Sequence, residues 1–422
     1  MGSRLVPLVT SLIVSAGLRR MQREAAALRR RITGGTPTIL YFHQADDPYS
    51  ALTAQILPAL AAGYDVAIEP FLVPPPGADA NPDAPRLAAY GRFDASRLAN
   101  AHGLDFSPHA VAPDAARLTA AQGALAASLA AGRFVREAAA ISSALWAGAD
   151  QAAAAAIDPA PYLAAGDARR RELGHYSGAT FYFEGEWYWG IDRLPYLEAR
   201  LAAFRSRAAP IVSQLAEPRF PALHSGATID FYPSLRSPYT YLAAARVRAL
   251  AERHGATLRI KPVLPMVMRG LPVPRAKRMY IVRDTKREAE RLGMPFGLVA
   301  DPVGAPTERG LAVLFPAIAA GKGSAFLESF LSGAWAEGID AGTDTGLQLI
   351  ADRAGIGADS VAASLADDSW RAQAEANRLE LLDLGLWGVP SFRVSGLPGF
   401  WGQDRLWAIE DDLRQVAASQ TA

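Results

Sequence analysis

Two short segments put a polar residue directly before a helix-opening proline: Asp47-Pro48-Tyr49-Ser50 and Ser237-Pro238-Tyr239-Thr240. Proline is favoured in the first turn of a helix. The residue before it stands where unpaired backbone N–H groups and the positive helix end favour an anion. A serine there can donate its hydroxyl proton to an anion, whereas an aspartate repels one. The same serine also fits an ordinary helix cap, so its position alone leaves both roles open. Other chemistry is closed by composition. The chain has no cysteine, which excludes disulfides, protein thiolates and cysteine-ligated metals. Six histidines without an H-E-x-x-H pair give no metal-ligating pattern, and no metal site is expected.

The elements that position these segments are written twice. Thr38 to Phe42 and Thr228 to Tyr232 read as short buried strands, each leading into its Pro-Tyr-Ser/Thr helix start. Pro48 and Pro238 lie 190 positions apart, and the same offset links Tyr90 to Tyr280, Asp94 to Asp284, Gly103 to Gly293 and Phe106 to Phe296. Near the end of each copy Gly190-Ile191-Asp192-Arg193-Leu194 answers Gly402-Gln403-Asp404-Arg405-Leu406 at an offset of 212. The second copy thus carries 22 more residues, room for one more helix. Ala115 to Ala156 and Ala312 to Leu384 are alanine-rich with interleaved Leu, Phe and Trp, which predicts a helical insert in each copy. An α/β fold follows, in two tandem domains at 36–207 and 226–418. Pro210, Pro218 and Pro221 punctuate the linker between them, and a basic helical extension occupies 1–35.

Half of the 422 residues are hydrophobic and the net charge is only +1, a balance that gives nucleic acid no basic field to meet. The apolar run Leu5 to Leu18 is broken by Pro7, Thr10, Ser11 and Ser15, and is shorter than the roughly 20 residues that span a bilayer. Arg19, Arg20, Arg23, Arg29, Arg30 and Arg31 follow the run, whereas a secretory signal carries its charge ahead of it. The expected location is therefore cytoplasmic. The extension reads first as a helix packed on the domains, and second as an amphipathic helix making peripheral membrane contact.

From Ala227 to Ala417 the chain resembles the kappa-class glutathione transferases and the 2-hydroxychromene-2-carboxylate isomerases, relatives of DsbA-like thioredoxin domains. The resemblance is carried by Ser237-Pro238-Tyr239-Thr240-Tyr241-Leu242-Ala243, by Lys261-Pro262-Val263-Leu264, by Gly388-Val389-Pro390-Ser391-Phe392 and by Phe400-Trp401-Gly402-Gln403-Asp404-Arg405-Leu406. It implies two thioredoxin-like domains, each with an inserted helical subdomain, and glutathione as cofactor. Ser237 then becomes the residue that stabilises the cofactor thiolate. Val389-Pro390 matches the family's cis-proline site, where the residue before the proline pairs its backbone with the cysteinyl part of glutathione. Gln403 and Asp404 match the helix start that receives the γ-glutamyl end.

The first copy departs at both places. Asp47 stands where Ser237 stands, and Ala179 stands where Pro390 stands. This copy is expected to be a degenerate structural or substrate-covering partner, packed on the second. The resemblance implies a glutathione-dependent isomerase acting on a hydrophobic, conjugated small molecule. A kappa-like transferase or a non-catalytic scaffold remains the alternative.

Overall fold

The computed structural model describes residues 5–149 and 157–421, and the last part of the expected Ala115 to Ala156 helical stretch lies outside them. The chain forms two compact units. One comprises Arg20–Leu215 with Pro274–Tyr280; the other comprises residues up to Arg19, Ala216–Val273 and Ile281–Ala422.

In the first unit β1 (Thr38–His43) is central, with five of its six residues buried. It pairs in parallel with β2 (Ala67–Leu72) and antiparallel with β3 (Thr180–Phe183), which turns into β4 (Glu186–Trp189). A strand buried on both faces needs an unbroken apolar run, which Ile39-Leu40-Tyr41-Phe42 supplies. Tyr41 sits 4.9 Å from Phe181, and Phe42 stacks on Phe71 at 5.2 Å. The helix Pro48–Tyr64 connects β1 to β2, and among the described residues four helices between Ala84 and Glu172 precede β3. A short helix, Leu194–Leu201, follows β4.

The second unit has the same strand order. Its central β5 (Thr228–Tyr232) pairs in parallel with β6 (Thr257–Ile260) and antiparallel with β7 (Ser391–Val394), which turns into β8 (Phe400–Trp401). The helix Pro238–Arg253 connects β5 to β6, and Leu406–Thr421 closes the unit. Phe231 stacks on Phe392 at 5.1 Å beneath the strand ends.

The 22 extra residues make two short helices where one was expected, Asp344–Arg353 and Ala358–Leu365. The sequence Ala354-Gly355-Ile356-Gly357 forces the break: Gly355 adopts φ +68°, a left-handed turn that ends the first helix.

Buried carboxylates tie down the chain on either side of the proline-marked linker. Glu410 accepts the backbone N–H groups of Arg219 and Phe220, and Glu217 pairs with Arg246, so the unit begins near Ala216. Glu198 does the same at the other end of the linker, accepting from the N–H groups of Ile211 and Val212. Buried backbone donors need partners, and a buried carboxylate offers two oxygens for two consecutive amides.

Candidate functional site

Ser237 occupies the cap of the helix Pro238–Arg253, with φ −98° and ψ 115°. Its Oγ accepts the Thr240 N–H at 3.2 Å and donates to the Val389 carbonyl at 3.4 Å. The turn that delivers it is closed by Ser237 N–H to Ser234 O at 3.0 Å and by Ser234 N–H to Thr240 Oγ1 at 3.4 Å. Thr240 thus shapes the loop, a role its place in the motif did not reveal. The Val389–Pro390 bond is cis, as the resemblance implies. The Pro390 carbonyl then accepts the Gly402 N–H at 2.9 Å, which sets Gln403 and Asp404 beside this loop. Contacts therefore run from Ser237 through Val389 and Pro390 to Gly402. Trp401 lies against Gly388 so closely that a Cβ there would fall 2.1 Å from the indole, which only glycine avoids.

Gln403 and Asp404 divide on inspection. The Gln403 side chain is buried and fully used: Arg246 donates to its Oε1 at 2.6 Å, and its Nε2 donates to Glu288 at 3.0 Å. With Glu217 on Arg246 and Arg291 on Glu288, it is the middle of a buried polar chain. Those bonds hold the Gln403 side chain within the unit, so what this residue adds to the helix start is its backbone. Asp404 keeps a partly exposed carboxylate, with Arg405 Nη1 3.3 Å from its Oδ1. The Arg405 side chain is buried. Lys261 is engaged by Glu380 at 2.5 Å, with Asp230 3.5 Å away, so its ammonium is neutralised within the unit.

The corresponding loop of the first unit keeps the backbone and changes the chemistry. Asp47 caps Pro48–Tyr64 with φ −103° and ψ 117°. Its carboxylate accepts from Tyr49 N–H at 3.2 Å, Ser50 N–H at 3.1 Å and Ser50 Oγ at 2.9 Å. Burial pushes this carboxyl up to about 7, although the Ser50 hydroxyl bond opposes the shift. The Gly178–Ala179 bond is trans, and Ala179 holds φ +52°. Proline is locked near −65° and could not adopt that angle. The Ala179 N–H, which a proline would lack, donates to Ser50 Oγ at 3.0 Å.

Outside these loops, Tyr239 donates to Asp284 at 2.8 Å and Tyr49 donates to Asp94 at 2.8 Å, the same pair 190 positions apart. Among the described residues no group of three or more His, Asp or Glu side chains is placed to hold a metal.

Comparison with known proteins places this geometry. Residues 228–414 match the DSBA-like thioredoxin domain, so the second unit is a thioredoxin-like α/β domain of the DsbA kind. Over 200 residues the chain is 27% identical to a 2-hydroxychromene-2-carboxylate isomerase of Sphingobium xenophagum, covering 44% of this chain and 97% of that protein. A 2-hydroxychromene-2-carboxylate isomerase of Pseudomonas putida is 23% identical over 196 residues, covering 44% of this chain and 95% of that protein. Among solved structures, a 2-hydroxychromene-2-carboxylate isomerase is similar at TM-score 0.40 and 21% identity, over 46% of this chain and 98% of that one. The cytosolic disulfide reductase DsbM of Pseudomonas aeruginosa is similar at TM-score 0.37 and 22% identity, over 46% and 98%.

Proposed function

We propose that this chain is a duplicated DsbA-like protein whose second unit is a glutathione-dependent isomerase of the type its relatives are named for, and whose first unit lacks thiolate chemistry. The duplication is supported by the shared strand order and by bonds that repeat 190 positions apart. Asp47 N–H to Gln44 O answers Ser237 N–H to Ser234 O, and Val73 N–H to His43 O answers Val263 N–H to Pro233 O.

The observation that carries the catalytic reading is the Ser237 hydroxyl. Its oxygen is tied to the Thr240 N–H, so its proton points away from the helix. The acceptor that proton has, the Val389 carbonyl at 3.4 Å, is well beyond the usual O–H···O length of 2.5–3.0 Å. An anion at the helix end accepts that hydrogen bond in place of the carbonyl at little cost. Bound glutathione would supply a thiolate able to add to a conjugated carbon and leave again after bond rotation. Ser237 donates to that sulfur and holds it ionised, while the helix end adds its positive field. The Val389 main chain pairs with the tripeptide, and the Asp404 carboxylate receives its ammonium. A kappa-like transferase would use the same residues but consume the thiol. Following free glutathione during turnover of a conjugated electrophile separates the two: an isomerase leaves it constant.

Ser237→Ala tests the assignment. Glutathione binding should survive, while the bound thiol pKa rises by about one to two units, since a hydrogen bond to a charged group is worth about 1.5–3 kcal/mol. The ultraviolet thiolate absorbance of the complex against pH reads this directly. An unmoved thiol pKa, with about 1 kcal/mol lost in unfolding, would reduce Ser237 to a helix cap.

A further inference from the structure

The helix Ala16–Thr33 is inside out. A surface helix ordinarily buries an apolar stripe and shows its charges to water. This one contains no buried residue, and from residue 20 onward arginines fasten its inner face. Arg23 makes a two-pronged ion pair with Glu186 at 2.6 and 3.0 Å. Arg30 pairs with Glu184, and its guanidinium lies 4.6 Å over the Phe204 ring. Seven residues separate the two arginines, so they share one face.

The apolar residues point the other way. Met21, Leu28 and Ile32 are 59%, 57% and 76% exposed. With exposed Ala25 they follow a 4-3-4 spacing, which lines them up opposite Arg23 and Arg30. Exposed charges border this stripe on both sides: Arg20, Glu24 and Arg31 along one flank and Arg29 along the other. Glu24 lies 3.9 Å from Arg20 and offsets one of those cations. Two positive charges remain in surplus beside a fixed, outward apolar row.

We propose that residues 20–33 form a docking face for an anionic lipid surface, with the helix lying in the plane of the headgroups. The inner ion pairs present the stripe; Met21, Leu28 and Ile32 enter the interface; Arg20, Arg29 and Arg31 meet lipid phosphates. The charge pattern selects this occupant over a second copy of the chain. Two heptads are too short for a stable coiled coil, and in an antiparallel pair the arginines at 29 and 31 add repulsion. Among the described residues no helix is long and apolar enough to cross a membrane, so contact would be peripheral.

The full chain should co-sediment with vesicles of phosphatidylcholine containing phosphatidylglycerol at low salt, and far less with phosphatidylcholine alone. Replacing Arg20, Arg29 and Arg31 together by Gln should lower the partition coefficient about a hundredfold. Replacing Met21, Leu28 and Ile32 by Gln should lower it by a factor of at least about thirty. Ile32→Gln alone, at the most exposed position, should lower it severalfold with an unchanged thermal midpoint, so the reading survives even where a triple variant loses stability. No sedimentation of the wild type with anionic vesicles overturns the proposal. So does a wild-type dimer in solution that the apolar triple turns into monomer while vesicle binding is absent, because the stripe then belongs to a second copy.

Discussion

The loops at Asp47 and Ser237 share a backbone and oppose each other in chemistry. Each follows the central strand of its sheet, closes a turn by an N–H to the residue three before, and caps a helix that opens on proline. Asp47 turns three donors inward onto its own carboxyl group. Ser237 accepts one donor and keeps a proton on a long, weak bond. The facing segment changes in step. Where Ser237 meets a proline loop, the Asp47 loop meets Ala179, whose N–H is absorbed by Ser50. The two loops thus differ in how their donors and acceptors are partnered, while the strand order around them is the same.

The sharpest way to break the contrast is to write one loop into the other. Ser237→Asp should raise the thiol pKa of bound glutathione by more than about two units, because a donor is replaced by a like charge. Turnover at neutral pH should fall about a hundredfold or more, measured with glutathione saturating. Activity retained in this variant would show that the helix end alone holds the thiolate.

Ser50→Ala comes next and reads stability. It strips the acceptor from two backbone donors, Gln44 N–H and Ala179 N–H, and the donor from Asp47. Equilibrium unfolding should show a loss of about 2–4 kcal/mol. A more modest effect belongs to pH. The Asp47 carboxyl, raised to about 7 by burial, keeps in the folded chain a proton that the unfolded chain releases near 4. Its contribution is complete below about pH 4 and is lost as pH rises through about 7. Asp47→Asn should flatten that part of the stability profile. The smallest effect is at Thr240→Val, the counterpart of Ser50→Ala, which removes one acceptor from one donor, Ser234 N–H, at 3.4 Å. A cost of about 1 kcal/mol is expected by the same measurement. Equal losses at Ser50 and Thr240 would contradict the difference drawn between the loops.

Much of this was legible in the sequence because it is local or periodic. The 190-residue offset located both central strands and both helix starts, while the cis bond at Val389–Pro390 followed only from the family resemblance. What stayed hidden depends on partners distant in the chain. Nothing near Gln403 announces that its amide joins Arg246 to Glu288, 157 and 115 positions away. A count of 22 extra residues suggests one more helix without marking where a helix stops; Gly355 marks it, through a backbone angle that a count does not show. Prolines mark the linker, but nothing near it announces that its amides at 219 and 220 are held by Glu410, 191 and 190 positions away.

The two linker carboxylates also differ in when they can act. Glu198 reaches Ile211 and Val212 over 13 and 14 residues, so that tie needs no residue beyond Val212 to close. Glu410 must reach Arg219 and Phe220 across 191 and 190 residues. Loop closure over that span waits for the final helix to be synthesised. Until then His254, whose Nε2 lies 3.1 Å from the same carboxylate in the folded chain, and the two amides lack that partner. The first unit can thus fasten its end of the linker early in translation, whereas the unit carrying Ser237 fastens its own only with the last turns of the chain.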